Sequence, residues 1–435
     1  MRYQPRHAQP QASRGTSTRA LTAATGAVTI PFALATAHAD AATRLVSVST
    51  EAQLQAAVAD AQPGDVIELA AGTYSGRLSA TRSGTPDAPI TMRPAAGAAV
   101  TLTAGLTMPK CGATGPDGDR TLTFQKGASY WTVQGLRIDG GVMISSENSQ
   151  YVQKWFANKI TAKDWQARRA VPGRGTNNRV GADNAATYLQ RLTGHPLRVS
   201  QGIALVDNTI TRKGVHSRFA RAGVLQGNTI SDIACGTGPG VWLALYSDKW
   251  KVQGNSVARV AQSTAGHWMQ EGIRVGSASS YNQVTGNLIK DLPTGGRAFT
   301  TDQDASYNII SGNRATGVDI AYNEQMSGWE NQWTDNLAGV SRVAAFSFRA
   351  MDGKLARPSM NSSPNGVKVE CNVSATAPTD FQAGALMNAT VDSNSFDDVF
   401  LSKNLLSYFG ERDNTWDGTS RINGDLGTPD GASAC

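Results

Sequence analysis

The stretch Gly240-Val241-Trp242-Leu243, followed by Val252-Gln253-Gly254-Asn255-Ser256-Val257, states a phrase that the chain repeats. It is a Gly-apolar-x-apolar run, a short polar turn, then apolar-x-Gly-Asn-x-apolar. It occurs one copy earlier as Gly214-Val215-His216-Ser217 with Val224-Leu225-Gln226-Gly227-Asn228-Thr229-Ile230. One copy later it reads Gly272-Ile273-Arg274-Val275 with Val284-Thr285-Gly286-Asn287-Leu288-Ile289. Weaker copies end at Asn208, Asn313 and Asn336, and the asparagines recur at intervals of 20 to 32 residues. A period in that range marks a solenoid, whose single repeat cannot bury its apolar face alone. Short alternating runs joined by Gly/Asn turns make it a β-solenoid.

Composition agrees. The 435 residues include 45 glycines and only 17% charged side chains, which suits a turn-rich β protein. No apolar run reaches the ~18 residues needed to span a bilayer. Arg2, Arg6, Arg14 and Arg19 precede an apolar stretch from Leu21 to Ala37, and Ala37-His38-Ala39 has the small-x-small form of a cleavage site. Residues 1–39 therefore read as a secretion signal cut near Ala39, leaving a secreted, extracellular single domain, 40–435. Export permits disulfides among Cys111, Cys235, Cys371 and Cys435; three pairings are open, with Cys371–Cys435 the expected one. The net charge of +6 points to an anionic polymer as partner, with no nucleic-acid signature and no membrane segment. A monomer is expected.

In chain order, Val46 to Val48 reads as a first strand, and Thr50-Glu51-Ala52-Gln53 has capping-box form, opening a short helix that stops near Gln62-Pro63-Gly64-Asp65. Such a helix covers the open end of the stack. Residues from about 145 to 200 lose the rhythm, are rich in Lys and Arg, and interleave Tyr151, Trp155, Trp165 and Tyr188; they read as a basic insertion. Val399 to Asn404 reads as a final coil, with a cap or tail at about 405–435.

The run from the capping helix through Pro63-Gly64-Asp65-Val66-Ile67-Glu68-Leu69 to Gly72-Thr73-Tyr74, then Gly84-Thr85-Pro86-Asp87-Ala88-Pro89-Ile90-Thr91, resembles the start of polysaccharide lyase family six. That family contains alginate lyases and chondroitinase B. Tyr130-Trp131-Thr132-Val133-Gln134-Gly135-Leu136-Arg137-Ile138 is similar to it as well. The resemblance implies an all-β, right-handed parallel β-helix with an N-terminal capping helix, and a lyase acting on an acidic polysaccharide. Glu271-Gly272-Ile273-Arg274-Val275-Gly276 resembles the family's coil bearing a catalytic Arg. The family's catalytic Lys and acidic calcium ligands belong on the preceding coil, and here that coil, Gly240 to Tyr246, has neither. Lys249, Lys213 and His216 are then the candidates for the base.

In register, the apolar members Val215, Val241, Leu243, Ile273, Val275, Phe299, Ile320, Phe346 and Phe348 point inward and their neighbours outward. One outward column reads His216, Trp242, Arg274, Thr300, Ala321, Ser347; the next reads Arg218, Ala244, Gly276, Asp302, Asn323, Arg349. Trp242 offers a face for a sugar ring, with Arg349, Asn323 and Trp268 as further substrate contacts. Arg218 and Arg274 can grip carboxylates, and His216 can act as a base near neutral pH. These residues suit β-elimination on a uronic-acid polysaccharide: arginines neutralise the carboxylate, His216, Lys213 or Lys249 takes the proton, and Tyr246 or an arginine assists departure.

Asp302, Asp304, Asp319 and Glu324 form a second constellation, suited to an inverting glycoside hydrolase. Glu271, Asp302 and Asp304 could instead hold a hard cation such as calcium. A non-catalytic glycan-binding β-helix is the third reading.

Overall fold

The computed structural model describes residues 43–108, 119–145, 198–261, 270–277, 279–302, 305–325, 328–349, 364, 366–384, 389–396, 399–401 and 415–416. Two units divide the chain, residues 1–40 and 41–435, and every described residue lies in the second. The expected secretion signal, most of the basic insertion and most of the C-terminal tail fall outside the described residues, as do Cys111 and Cys435. Within the expected tail, Thr415–Trp416 is a strand of sheet A, so the stack continues past the expected final coil. No described cysteine is a free thiol.

The repeated phrase folds as a parallel β-helix. Each coil contributes a strand to each of three sheets. Sheet A has thirteen strands, from Leu45–Val48 to Thr415–Trp416. Sheet B carries the strands that follow the Gly-Asn turns, such as Thr229–Ile233, Ser256–Val260 and Leu288–Lys290. Sheet C carries the Gly-apolar-x-apolar runs, among them Val215–Arg218, Val241–Ala244, Glu271–Val275 and Arg297–Thr301. The long strand Leu337–Arg349 passes from sheet B into sheet C and pairs with neighbours in both.

The Gly-Asn turn makes the stack cohere. Gly227, Gly254, Gly286 and Gly312 sit at φ near +65° (66, 64, 63 and 63), a left-handed conformation that costs glycine little. The asparagine that follows turns its side chain inward, and Asn208, Asn228, Asn255, Asn287, Asn313, Asn336, Asn372 and Asn394 form one continuous ladder. Asn287 is typical. Its Oδ1 accepts from the Asn255 backbone N–H at 2.9 Å and from Asn255 Nδ2 at 3.0 Å. Its Nδ2 donates to Val252 O at 2.9 Å and Asn313 Oδ1 at 3.0 Å. Every buried turn amide thereby finds a partner from the next coil.

The glycine that opens each sheet C run has a different reason. A Cβ on Gly240 would lie 2.5 Å from Val257 Cγ1, and one on Gly272 would lie 2.6 Å from Ile289 Cδ1. The corner between sheets B and C is thus too tight for a side chain. At the N-terminal end, helix Glu51–Ala59 carries the expected capping box between Thr50 and Gln53 and buries Leu54 and Val58 against the first coils.

The inward residues expected from alternation lie in one continuous core: Val215, Val241, Leu243, Ile273, Val275, Phe299, Phe346 and Phe348. Ile320 does not. Its strand, Val318–Gln325, is longer than its neighbours and has a register irregularity between Val318 and Ile320. The facing pattern therefore arrives two residues late, and Tyr322 takes the inward place opposite Phe299, stacked between Phe299 and Phe346.

Candidate active site

That delay also corrects the outward columns. The first runs Met143, His216, Trp242, Arg274, Thr300, Asn323, Ser347, each paired with the next across sheet C. Asn323, not Ala321, holds the fifth coil's place beside Thr300. In the second column Gln325 lies opposite Arg349, where Asn323 was expected; Arg349 carries its backbone in the strand, and its side chain is outside the described residues.

His216, Trp242 and Arg274 form a stack. The imidazole and indole rings lie 4.3 Å apart at 14°, and the Arg274 guanidinium carbon lies 5.4 Å from the indole centroid on the following coil. Both indole faces are therefore occupied, which corrects the expectation that a sugar ring stacks on Trp242. What remains is its edge, with an indole N–H that is buried and has no partner.

The column is outward-facing yet buried: His216 is 2% exposed, Arg218 6%, Arg274 1% and Asp302 1%. Electrostatics there are undiluted by water. Arg274 donates to Asp302 Oδ2 and, at 3.5 Å, to Glu271 Oε1. Burial lowers its pKa, but Asp302 and Glu271 together raise it, so it is a fixed cation. Burial raises the Glu271 carboxyl, against the opposing pull of Arg274 and Arg297. Gln325 Nε2 reaches Asp302 Oδ2 at 3.4 Å, and Arg297 Nη1 donates to Gln325 Oε1 at 3.1 Å. The two arginines, two carboxyls and one amide close a ring.

Arg218 differs. Its Nε donates to His216 Nε2 at 3.2 Å, and no carboxylate among the described residues pairs with it. Burial lowers its pKa to about 10. The same burial, with the charges of Arg218, Arg120 and Arg274, holds His216 well below the usual histidine value. The imidazole is neutral, accepts at Nε2, and leaves Nδ1 without a partner. This is the group expected to titrate near neutrality, and its surroundings move it lower.

Other expected site residues are elsewhere. Lys213 is buried at the corner between sheets B and C, its Nζ donating to Asp119 O at 2.9 Å. Lys249 is exposed in the turn toward sheet A, at φ 59°. Tyr246 is buried edge-on to Phe219 at 6.0 Å. Trp268 and Asp304 lie outside the described residues.

Of the four carboxylates expected for a hydrolase, the three described ones, Asp302, Asp319 and Glu324, do not converge. Asp319 pairs with Arg342 at 2.6 Å and accepts from the Gly295 N–H. Glu324 points into the solenoid, where it accepts from Trp333 Nε1 at 2.6 Å and Asn331 Nδ2 at 2.9 Å. Glu271 and Asp302 do meet, but around Arg274, whose guanidinium occupies the place a cation would take. Among the described residues no three His, Cys, Asp or Glu side chains converge on a metal position; Asp304, the third member of the expected calcium set, lies outside them.

Alternation identified His216, Arg218, Trp242, Arg274 and Asp302 as one face. It missed Gln325, whose signal was the same register counted correctly through the long strand, and Arg297, which alternation assigns to the inward side with Phe299. Ala244 pairs with Arg218 across sheet C and is buried. A side chain at Gly276 would collide with the Asp302 carboxylate.

No family model matches the sequence, and no curated protein matches it. Solved structures match it over most of its length at low identity. An alginate lyase from Paenibacillus sp. str. FPU-7 is 16% identical, with a TM-score of 0.47 over 83% of this chain and 98% of that one. A hyperthermoactive exopolygalacturonase from Thermotoga maritima is 10% identical, with 0.46 over 83% and 86%. A family six polysaccharide lyase from Pseudopedobacter saltans is 12% identical, with 0.44 over 88% and 92%. At such identities and TM-scores the likeness leaves the chemistry of the face open.

Proposed function

We propose that the chain is an enzyme that cleaves an acidic, uronate-containing polysaccharide by β-elimination on the outward face of sheet C. One observation carries this reading: Arg218 is a buried cation with no described carboxylate partner. A buried unpaired charge is costly, and a substrate carboxylate supplies the missing partner through a bidentate fork.

The chemistry follows from that docking. When the carboxylate takes the Arg218 guanidinium, His216 Nε2 loses its hydrogen-bond donor and gains a free lone pair. The added negative charge also raises the basicity that burial and the arginines depress. The imidazole then removes the proton alpha to the carboxylate. The released electron pair forms the carbon–carbon double bond, and the glycosidic oxygen departs with the electrons of its bond. Arg274, held in place by Asp302 and Glu271, stabilises that oxygen as charge develops.

Incubation with a panel of uronate polymers tests this. The expected product has unsaturated uronate ends that absorb in the ultraviolet. Hydrolysis is the second reading, favoured by the Glu271 carboxyl, which burial raises and which lies on the same arginine as Asp302. Reducing ends that accumulate without the absorbance would replace elimination by hydrolysis.

A further inference from the structure

Beyond Arg274, on the side away from His216, the outward column becomes uncharged. Thr300 is 2% exposed and Asn323 0%. The Thr300 hydroxyl has no hydrogen-bond partner, and neither the oxygen nor the nitrogen of the Asn323 amide has one. Buried side-chain amides in folded proteins are nearly always satisfied, and the chain's inward asparagine ladder is hydrogen-bonded from coil to coil. Ser347, on the next coil, is also satisfied, accepting from Gln382 Nε2 at 2.8 Å. Beyond Arg274 in this column, the unmet capacity lies on Thr300 and Asn323.

That capacity has a definite chemistry. An amide offers two donors and an acceptor, and a hydroxyl offers one donor with acceptor lone pairs. Together they match neighbouring sugar hydroxyls, each of which both donates and accepts. Neither residue carries charge, and the ionisable groups beside them deter an anion. Glu271 Oε2 and Asp302 Oδ1 are buried without partners, while Arg274 and Arg297 already face those carboxyls. The site is thus polarised: an unpaired cation at Arg218, and an uncharged end flanked by carboxyl oxygens. The two ends lie four strand steps apart, about 19 Å at ~4.8 Å per step, which is the reach of a short oligosaccharide.

We infer that the substrate is a mixed polymer, in which uncharged sugars separate the uronates, in preference to an uninterrupted polyuronate. The inference rests on the proposed uronate-cleaving activity. One ring presents its carboxylate to Arg218, and an uncharged ring hydrogen-bonds to Thr300 and Asn323. An uninterrupted polyuronate brings a carboxylate against Glu271 and Asp302, where like charge opposes it.

The test compares kcat/KM on two substrate sets. One is polymannuronate, polyguluronate and polygalacturonate; the other is hyaluronan, chondroitin and glucuronoxylan. The expected result is at least a tenfold preference for one or more of the mixed polymers. Asn323→Ala and, separately, Thr300→Val should each lower kcat/KM on the preferred mixed polymer about tenfold and so narrow its margin over the polyuronates. The wild-type comparison stands even if a variant fails to fold. Equal or better cleavage of polyuronates overturns the inference; so do variants that alter neither activity. If Arg218→Gln still abolishes cleavage in that case, the uronate reading survives without this refinement. If neither set is cleaved, the functional reading itself falls.

Discussion

Replacing Arg218 with Gln should make the protein more stable and far less active. Arg218 is 6% exposed, and its described hydrogen bond goes to His216 Nε2. Burial moves its pKa from 12.5 to about 10, which corresponds to a charge penalty of about 3 kcal/mol at ~1.4 kcal/mol per unit. Gln removes the charge and retains an N–H for His216. The weaker hydrogen bond returns about 1–2 kcal/mol of that gain. The net effect is a stabilisation of about 1–2 kcal/mol, read by calorimetry as a thermal midpoint about 2–4 °C higher. Loss of a two-pronged contact to a substrate carboxylate costs about 3–4 kcal/mol of transition-state binding, or roughly 10²–10³-fold in kcat/KM. The two effects have opposite signs, so each controls for the other. A variant that melts lower and turns over normally would refute the reasoning, because Arg218 would then be a structural residue whose charge is satisfied within the fold.

Three further outcomes follow from the same contacts. The His216 imidazole should remain neutral by NMR well below pH 6.5 in the free protein, and Arg218→Gln should raise its pKa, since one of the cations lowering it is gone. The linked stability has a definite sign: the folded pKa lies below the unfolded value, so this group's contribution is present above about pH 6.5 and is lost as pH falls toward the folded value, visible as a declining midpoint. Glu324→Gln should cost about 2–4 kcal/mol in denaturant unfolding, because the new amide N–H faces the donors of Trp333 and Asn331; kcat/KM should not change, because the side chain faces the core. Asn287→Ala removes both directions of one ladder rung and should cost about 3–4 kcal/mol, whereas Lys251→Ala, at an exposed position in the neighbouring coil, should lie within about 0.5 kcal/mol of the parent.

The scaffold was legible because its constraints are local and repeated. Gly-Asn marks a turn that needs a left-handed glycine and a ladder amide, and a strict period of two separates core from face. The capping box was readable for the same reason: Thr50 and Gln53 act within one turn. The candidate site was only half legible. Alternation placed His216, Trp242 and Arg274 on one line, but the length of strand Val318–Gln325 depends on how the sheet B–C corner is taken, and a two-residue error there put Asn323 in the wrong column and hid Gln325. Pair formation was not legible at all. That Arg274 is held by two carboxyls while Arg218 has none follows from side-chain reach across coils, and residue type alone cannot distinguish the two arginines. Glu324 shows the converse: an acidic residue that reads as surface lies in the core, because Trp333 and Asn331 supply donors there.

The most direct test is a crystal structure of the His216→Ala variant soaked with a short uronate-containing oligosaccharide. The account predicts a sugar carboxylate against the Arg218 guanidinium, with the chain running along sheet C past Trp242 toward Arg274. An oligosaccharide bound on another face, or one whose carboxylate meets a different residue while Arg218 stays unpaired, would contradict it.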